Sequence, residues 1–205
     1  MAEQYKTVLF FGAPGAGKGT QGELIGSVPG FFHMSTGDMF RSLDRNSEAG
    51  KKFESYSSKG ELVPDEVTIE LWQDYMNQRI ADGSYDPDTM LLILDGLPRT
   101  VNQARVIAPL IDVLAVVHLN AKDKEAMVAR LRERAIKQNR ADDAKEDVVR
   151  NRLDIYERET RPVLDVYDSS IVHDVDAINT MAMVMSEVLS VIAPIHAAHL
   201  SRTKA

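Results

Sequence analysis

The chain has 205 residues, 44% of them hydrophobic, which suits one α/β domain carrying small insertions. Its 31 acidic and 24 basic residues give a formal charge of −7, a poor match to a duplex-binding protein. The lack of cysteine excludes disulfides, thiolate metal sites and cysteine nucleophiles, and is compatible with a reducing cytosol. Residues 1–20 hold acidic Glu3 and only a short apolar run, so they do not read as a signal peptide, and no segment is expected to reach the roughly 18 apolar residues of a membrane span.

The first element is a strand over Thr7–Phe11. It feeds the loop Gly12-Ala13-Pro14-Gly15-Ala16-Gly17-Lys18-Gly19-Thr20, and a helix-compatible segment follows from Gln21 to Ile25. Such a loop turns successive backbone N–H groups toward one point, ahead of the positive end of a helix, and so cages phosphate oxygens. Lys18 adds a mobile charge able to reach the β- and γ-phosphates. Strand, Gly-rich loop, Lys and helix in this order form a P-loop. The residue after Lys18 is Gly19 rather than Ser or Thr, so a metal-binding hydroxyl there is displaced to Thr20 or absent. That weighs against a GTPase-type switch or a motor ATPase.

A second strand is expected over Phe31–Met34, with a long excursion after it, from Gly37 to Asp88. Two crossover helices would be excessive for one connection, so part of it is expected to form a small helical flap. Within it Asp38 reads as a helix N-cap, and Pro64-Asp65-Glu66 opens a helix running to Ala81. The third strand, Met90–Leu94, ends in Asp95, a hard oxygen ligand beside the P-loop suited to Mg²⁺, directly or through water. Arg99 offers a planar fork for a phosphate. Gln103 carries one amide donor and one acceptor and, taken alone, reads as a surface residue.

The fourth strand is expected over Leu114–Leu119. A polar insertion, Ile136 to Lys145, follows and reads as an exposed lid loop. Arg130, Arg132, Arg134, Arg140, Arg150 and Arg152 surround it. Arg130 and Arg134 share a helix face; Arg150 and Arg152 point to opposite sides, so at most one faces a site. Arg132 and Arg150 read as solvated charges. Asp142 and Asp143 either order the lid by pairing with arginines or start the next helix, which Pro162 is expected to bend or interrupt. The last strand is expected over Ile171–His173. Met181, Met183 and Met185 read as core filler, His196 and His199 as surface residues, and Ala193–Ala205 as a polar, fraying tail. Strands alternating with helices read as a parallel sheet covered on both faces.

Gly17-Lys18-Gly19-Thr20-Gln21 resembles the loop of the nucleoside monophosphate kinases, above all the adenylate kinases. Asp95-Gly96-Leu97-Pro98-Arg99 resembles that family's Asp-Gly-Phe-Pro-Arg, with Leu97 in place of the aromatic. Ser35-Thr36-Gly37-Asp38-Met39-Phe40-Arg41 and Gly60-Glu61-Leu62-Val63-Pro64 resemble its AMP flap. Arg140-Ala141-Asp142-Asp143 and Arg150-Asn151-Arg152-Leu153 resemble its lid pattern. Val175 to Asn179 resembles, more weakly, its ATP-adenine segment.

The resemblance implies a P-loop three-layer α/β fold: a five-stranded parallel sheet, a helical flap for the nucleoside monophosphate, and a short lid. In those terms the core spans 1–34, 65–133 and 146–205, the flap 35–64 and the lid 134–145, all within one kinase domain. It implies transfer of the ATP terminal phosphoryl group to AMP, giving two ADP. Mg²⁺ would accompany ATP near Asp95, and no structural zinc is implied. The ATP side would use Gly15, Ala16, Gly17, Lys18, Gly19, Thr20, Arg130, Arg134 and Asn179. The AMP side would use Thr36, Arg41, Glu61, Leu62, Val63, Gly96, Leu97, Pro98, Arg99, Gln103, Arg140 and Arg152. Lys18, Arg99, Arg134, Arg140 and Arg152 would carry catalysis, Arg152 being selected as the inward arginine. ATP, AMP and ADP are the implied partners, with neither nucleic acid nor membrane, for a cytoplasmic monomer. The alternative on the same fold is a UMP/CMP kinase; Thr36 and Gln103 favour AMP.

Overall fold

Five apolar runs pair into a single parallel sheet in the computed structural model, which describes residues 4–138, 140 and 143–203. The strands are β1 (Tyr5–Gly12), β2 (Phe31–Ser35), β3 (Leu91–Asp95), β4 (Ile111–Asn120) and β5 (Val172–Asp176), in the order β2-β3-β1-β4-β5. Alternation along each strand divides the core between two faces. Val8, Phe10, Leu91 and Ile93 enter one cluster; Leu9, Phe11, Leu92 and Leu94 enter the other. Burial on both faces is why these strands read as unbroken hydrophobic runs.

The helices complete the two outer layers. On one face α1 (Lys18–Gly26) supplies Ile25. The excursion contributes α2 (Thr36–Ser42), α3 (Glu48–Ser57) and α4 (Asp65–Ala81), and Met39, Ile69, Trp72 and Met76 join the opposite face. α5 (Val101–Ile107) adds Ala104 and Ile107 there. α6 (Lys124–Gln138), α7 (Glu146–Ile155) and α8 (Met181–Thr203) send Leu131, Leu153 and Val188 to the face that α1 covers. From β1 the chain runs out to β2, returns to β3 beside β1, and then crosses to β4 on the other side of β1. The crevice outside the strands' carboxyl ends at that reversal is where an open α/β sheet holds a ligand.

Several expectations need correction. The Ser35 side chain, not Asp38, caps α2, by accepting from the Asp38 N–H at 3.3 Å. The fifth strand is not 171–173: Ile171 closes a 3₁₀ turn, and the strand continues to Asp176 through polar positions at the sheet edge. The tail from Ala193 is helical to Thr203. Val184, Val188 and Ile192 form an i, i+4 stripe buried in the core. His196 extends that stripe and stacks on Phe31 at 4.0 Å between ring centroids, so it is half-buried rather than a surface residue, and His199 is half-buried too. Met181 and Met183 are 60% and 51% exposed, not core filler, because they lie off the stripe; Met185 does pack on the core. Met181–His199 also has a mean hydropathy of 1.6 with 17% of its window buried, making α8 long and apolar enough to cross a membrane by length and composition. Interspersed Ala, Ser, Pro and His residues mask this apolar stretch in the sequence, and Glu187 is its one carboxylate.

α1 rests on β2 through glycine. A Cβ on Gly26 would lie 2.7 Å from the His33 Cβ and 3.3 Å from the His33 backbone nitrogen. Gly26→Ala is therefore expected to lower stability by about 1–3 kcal/mol, as overpacking does, despite alanine's better helix propensity. The urea midpoint reads the change; an unchanged or raised midpoint would mean that α1 can shift freely over β2.

Candidate active site

The Gly-rich loop turns into α1 at Gly17. Gly17 sits at φ 98°, ψ 7°, a left-handed conformation that glycine adopts without steric cost, and caps α1. Lys18 arches back over the loop, its Nζ donating to the Gly12 carbonyl at 2.7 Å and the Ala13 carbonyl at 3.2 Å. Enclosure of the ammonium lowers its pKa to about 8. Asp95 opposes that shift, and Arg99, Arg134 and Arg152 add to it. Three guanidiniums against Asp95 leave Lys18 where a polyphosphate would stabilise its charge.

Asp95 ends β3 almost fully buried. Its Oδ2 lies 3.9 Å from where a Cβ on Gly19 would stand. The absent side chain leaves room beside the carboxylate, and a hard anionic oxygen next to a phosphate cage suits a hydrated Mg²⁺. The residues present fit that ion.

The acceptor side gathers around the next turn. The Thr36 hydroxyl donates to the Gly96 carbonyl at 2.9 Å, and Arg99 Nε donates to the same oxygen at 2.8 Å. Gln103 is buried, yet it borders the cavity. Its Oε1 accepts from the Arg99 N–H at 2.6 Å, and its Nε2 donates to Asp65 Oδ1 at 2.8 Å. The oxygen has a second lone pair and the nitrogen a second hydrogen. The amide is thus held in orientation with one acceptor and one donor still to use. Glu61, Leu62, Val63, Pro98 and Arg41 also face the cavity. Leu97 does not: its side chain is packed in the core, because the turn that presents Gly96 and Pro98 points it inward.

The lid side corrects one expectation. Asp143 is 0% exposed rather than part of an exposed loop. Its carboxylate accepts from Arg152 Nη1 and, at 2.6 Å, pairs with Arg134 Nη2. Two guanidiniums offset the cost of burying one carboxylate, and the shared anion sets the spacing of both arginines. Arg140 pairs with Asp38 at 3.5 Å, and Asp38 also holds Arg41 at 2.5 Å. Residues Asn139, Ala141 and Asp142 of the expected lid, and the last two residues of the tail, lie outside the described residues. Arg130 Nη1 donates to the Ala177 carbonyl at 2.9 Å. Arg132 and Arg150 stay outside, on Glu146 and, for Arg150, Glu125 as well.

These groups line one cavity of about 500 Å³. Gly15 to Thr20, Lys18 among them, line it together with Arg130, Arg134 and Asn179. Thr36, Arg41, Gly96, Arg99, Gln103, Arg140 and Arg152 line it as well. Sequence reasoning missed Phe40 and Phe53, stacked at 5.0 Å and 4° between ring planes beside the acceptor side, and Tyr156 and Thr160 below Arg152. The four-residue spacing from Arg152 could have found Tyr156.

The adenylate kinase family model matches residues 10–172. Among curated proteins, the chain is 38% identical over 189 residues to the adenylate kinase of Kocuria rhizophila, covering 89% of this chain and 96% of that protein. It is 37% identical over 175 residues to that of Mycobacteroides abscessus, covering 85% and 92%. It is 40% identical over 168 residues to that of a Synechococcus strain, covering 79% and 84%.

Proposed function

The chain belongs to the adenylate kinase family, and from that membership we propose how its own residues carry out the transfer ATP + AMP ⇌ 2 ADP. The observation that carries the proposal is a single cavity joining the Lys18 cage and Asp95 to arginines from both flap and lid. An oxygen of the AMP phosphate attacks the terminal phosphorus of ATP, and the bond to the bridging oxygen breaks, leaving ADP on each side. The attacking oxygen is already anionic, so no general base is needed. Alignment, charge neutralisation and exclusion of water do the work.

In this reading Gly15, Ala16, Gly17, Gly19 and Thr20 hold the ATP phosphates, and Lys18 follows the charge of the transferring group. Arg41 and Arg99 fix the AMP phosphate. Arg134, Arg140 and Arg152 neutralise the group in flight. Arg130 and Asn179 border the ATP base and sugar; Thr36, Glu61, Leu62, Val63, Gly96 and Pro98 border AMP. Asp95 would hold Mg²⁺ through water. That ion would supply positive charge to neutralise the phosphates. The segments 35–64 and 134–145 act as closing flap and lid, which keeps water from the reactive phosphate. We place the enzyme in the cytoplasm as a monomer, supported by a cysteine-free sequence that suits a reducing compartment.

Gln103 supports AMP as the acceptor. Its remaining donor and acceptor meet adenine N1 and N6 without giving up Arg99 or Asp65. The test is ADP formation from ATP with each monophosphate in turn. AMP is expected to be preferred, and the relatives' names give no support to a pyrimidine acceptor. Gln103→Ala is expected to lower kcat/KM for AMP about 10- to 100-fold, the worth of two hydrogen bonds, with the KM for ATP within about threefold. A wild type that phosphorylates CMP as fast as AMP would refute this acceptor assignment.

A further inference from the structure

A polar chain runs from the outer edge of the sheet to the cavity wall, and the chemistry above does not use it. His118 of β4 and Asp174 of β5 are register partners, and His118 Nδ1 lies 2.6 Å from Asp174 Oδ1. Its Nε2 lies 3.0 Å from the Tyr156 hydroxyl. The Asp174 carboxylate takes the Nδ1 hydrogen, so Nε2 is left as acceptor and the Tyr156 hydroxyl donates to it. His118 itself faces a separate shallow hollow and not the nucleotide cavity. Tyr156 lies between the two: its residue borders the cavity, while its hydroxyl reaches away from it to His118.

What Tyr156 fixes is the turn joining the two arginine groups. It begins a single π-helical turn, Tyr156–Thr160, between α7 and a 3₁₀ segment that contains Pro162. Its own N–H bonds back to the Arg152 and Leu153 carbonyls, so it stands one turn below Arg152. At the other end of the turn the Thr160 hydroxyl donates to the Arg99 carbonyl at 2.9 Å. One five-residue turn therefore connects the backbone carrying Arg152 to the backbone carrying Arg99. A π turn is a rare, single-turn insertion that recurs at functional sites. The Tyr156–His118 bond restrains one end and the Thr160–Arg99 bond the other.

The geometry points to His118 as a positioning residue for phosphoryl transfer. Oriented by Asp174 and acting through Tyr156, it sets the π turn, and so the spacing of Arg152 and Arg99 across the cavity. This rests on the phosphotransfer reading above. Neither His118 nor the Tyr156 hydroxyl needs to touch substrate, so the effect belongs in turnover rather than in binding.

The test uses the full chain, with kcat and KM for ATP and AMP measured beside the melting temperature. Tyr156→Phe removes only the hydroxyl, and His118→Leu removes the acceptor. Each is expected to lower kcat about 10- to 30-fold, in line with the cost of small misplacements at a reacting centre. Both KM values should stay within about threefold. The double variant should lose no more than about twofold beyond either single, because both changes break one interaction. His118→Gln, which returns an amide oxygen near the Nε2 position, should recover kcat to within about threefold of wild type.

Normal kcat in a folded Tyr156→Phe overturns the inference. So do losses that multiply in the double variant, or a His118→Gln as impaired as His118→Leu. Should His118→Leu fail to fold, Tyr156→Phe and His118→Gln decide between them. A wild type that forms no ADP would overturn the phosphotransfer reading and this inference together. Normal wild-type turnover beside an unimpaired Tyr156→Phe overturns this inference alone.

Discussion

Lys18→Ala is expected to leave a folded protein that turns over at least about 10²-fold more slowly, because it removes one preorganised charge from the transferring group. The same change should stabilise the ligand-free protein at neutral pH. The Lys18 pKa is lowered to about 8, first by burial and then by Arg99, Arg134 and Arg152 acting against Asp95. The unfolded chain holds this proton up to the ordinary lysine range, so between about pH 8 and 10.5 it binds more protons than the native state. Stability should rise with pH across that window, and the penalty of a charged Lys18 is fully present below it. Alanine has no such penalty.

ATP reverses the balance, since its phosphates favour the charged amine. Apparent ATP affinity of the wild type should therefore weaken as pH rises above about 8, and that dependence should vanish in Lys18→Ala. Calorimetric titration in buffers of different ionisation enthalpy reads the proton taken up near pH 8. Near-normal turnover in folded Lys18→Ala would remove the phosphate cage from the mechanism. A destabilised variant at pH 7 would mean that the bonds to the Gly12 and Ala13 carbonyls outweigh the buried charge.

What the sequence disclosed, and what it hid, divides by range. The cage was legible because a loop, its lysine and the next helix are contiguous, and their geometry follows from local backbone rules. β1 and β3 were legible because burial on both faces makes them apolar throughout. β5 was displaced because Asp174 and Asp176 are exposed at the edge, so the strand lacks an apolar signal. Asp143 could have been a lid carboxylate or a helix start. Only the approach of α6 to α7 makes it an anion buried between Arg134 and Arg152. α8 was cut short because Ala, Ser and His dominate its last turns, while the four-residue spacing of Val184, Val188, Ile192 and His196 continues through them. The role of Tyr156 depends on His118, 38 residues earlier in the chain, and no spacing rule connects the two.

Arg140→Ala is expected to cut turnover about 10²- to 10³-fold, as removal of a group that stabilises a transferring phosphoryl does. Arg140 pairs with Asp38, and Asp38 holds Arg41 as well. Partial burial would raise the Asp38 carboxyl. The hydrogen bond and charge of Arg41, with help from Ser35 and Arg140, instead hold it below the ordinary range. Such a carboxylate is ionised at neutral pH, and its contacts weaken only as pH falls through that depressed value. Asp38 thus offers both arginines a carboxylate where a phosphate would compete. Arriving phosphates are the stronger, more highly charged partners, so closure should be driven by ligand.

Apolar burial does little to oppose opening of this segment, since Ile136 is 86% exposed. Asp143 in the same segment is buried between Arg134 and Arg152. Amide exchange across residues 134–145 should slow when a bisubstrate analogue spans both sites, and Arg140→Ala should weaken that protection. Asp38→Asn separates the two roles of Arg140. If the arginine acts on phosphate, the asparagine variant keeps turnover within about tenfold of wild type, because only a resting contact is lost. If Arg140 serves mainly to tie lid to flap, Asp38→Asn should be as slow as Arg140→Ala, and Arg134 and Arg152 would then form the phosphoryl clamp without it. Equal exchange with and without the analogue would mean that 134–145 does not close at all.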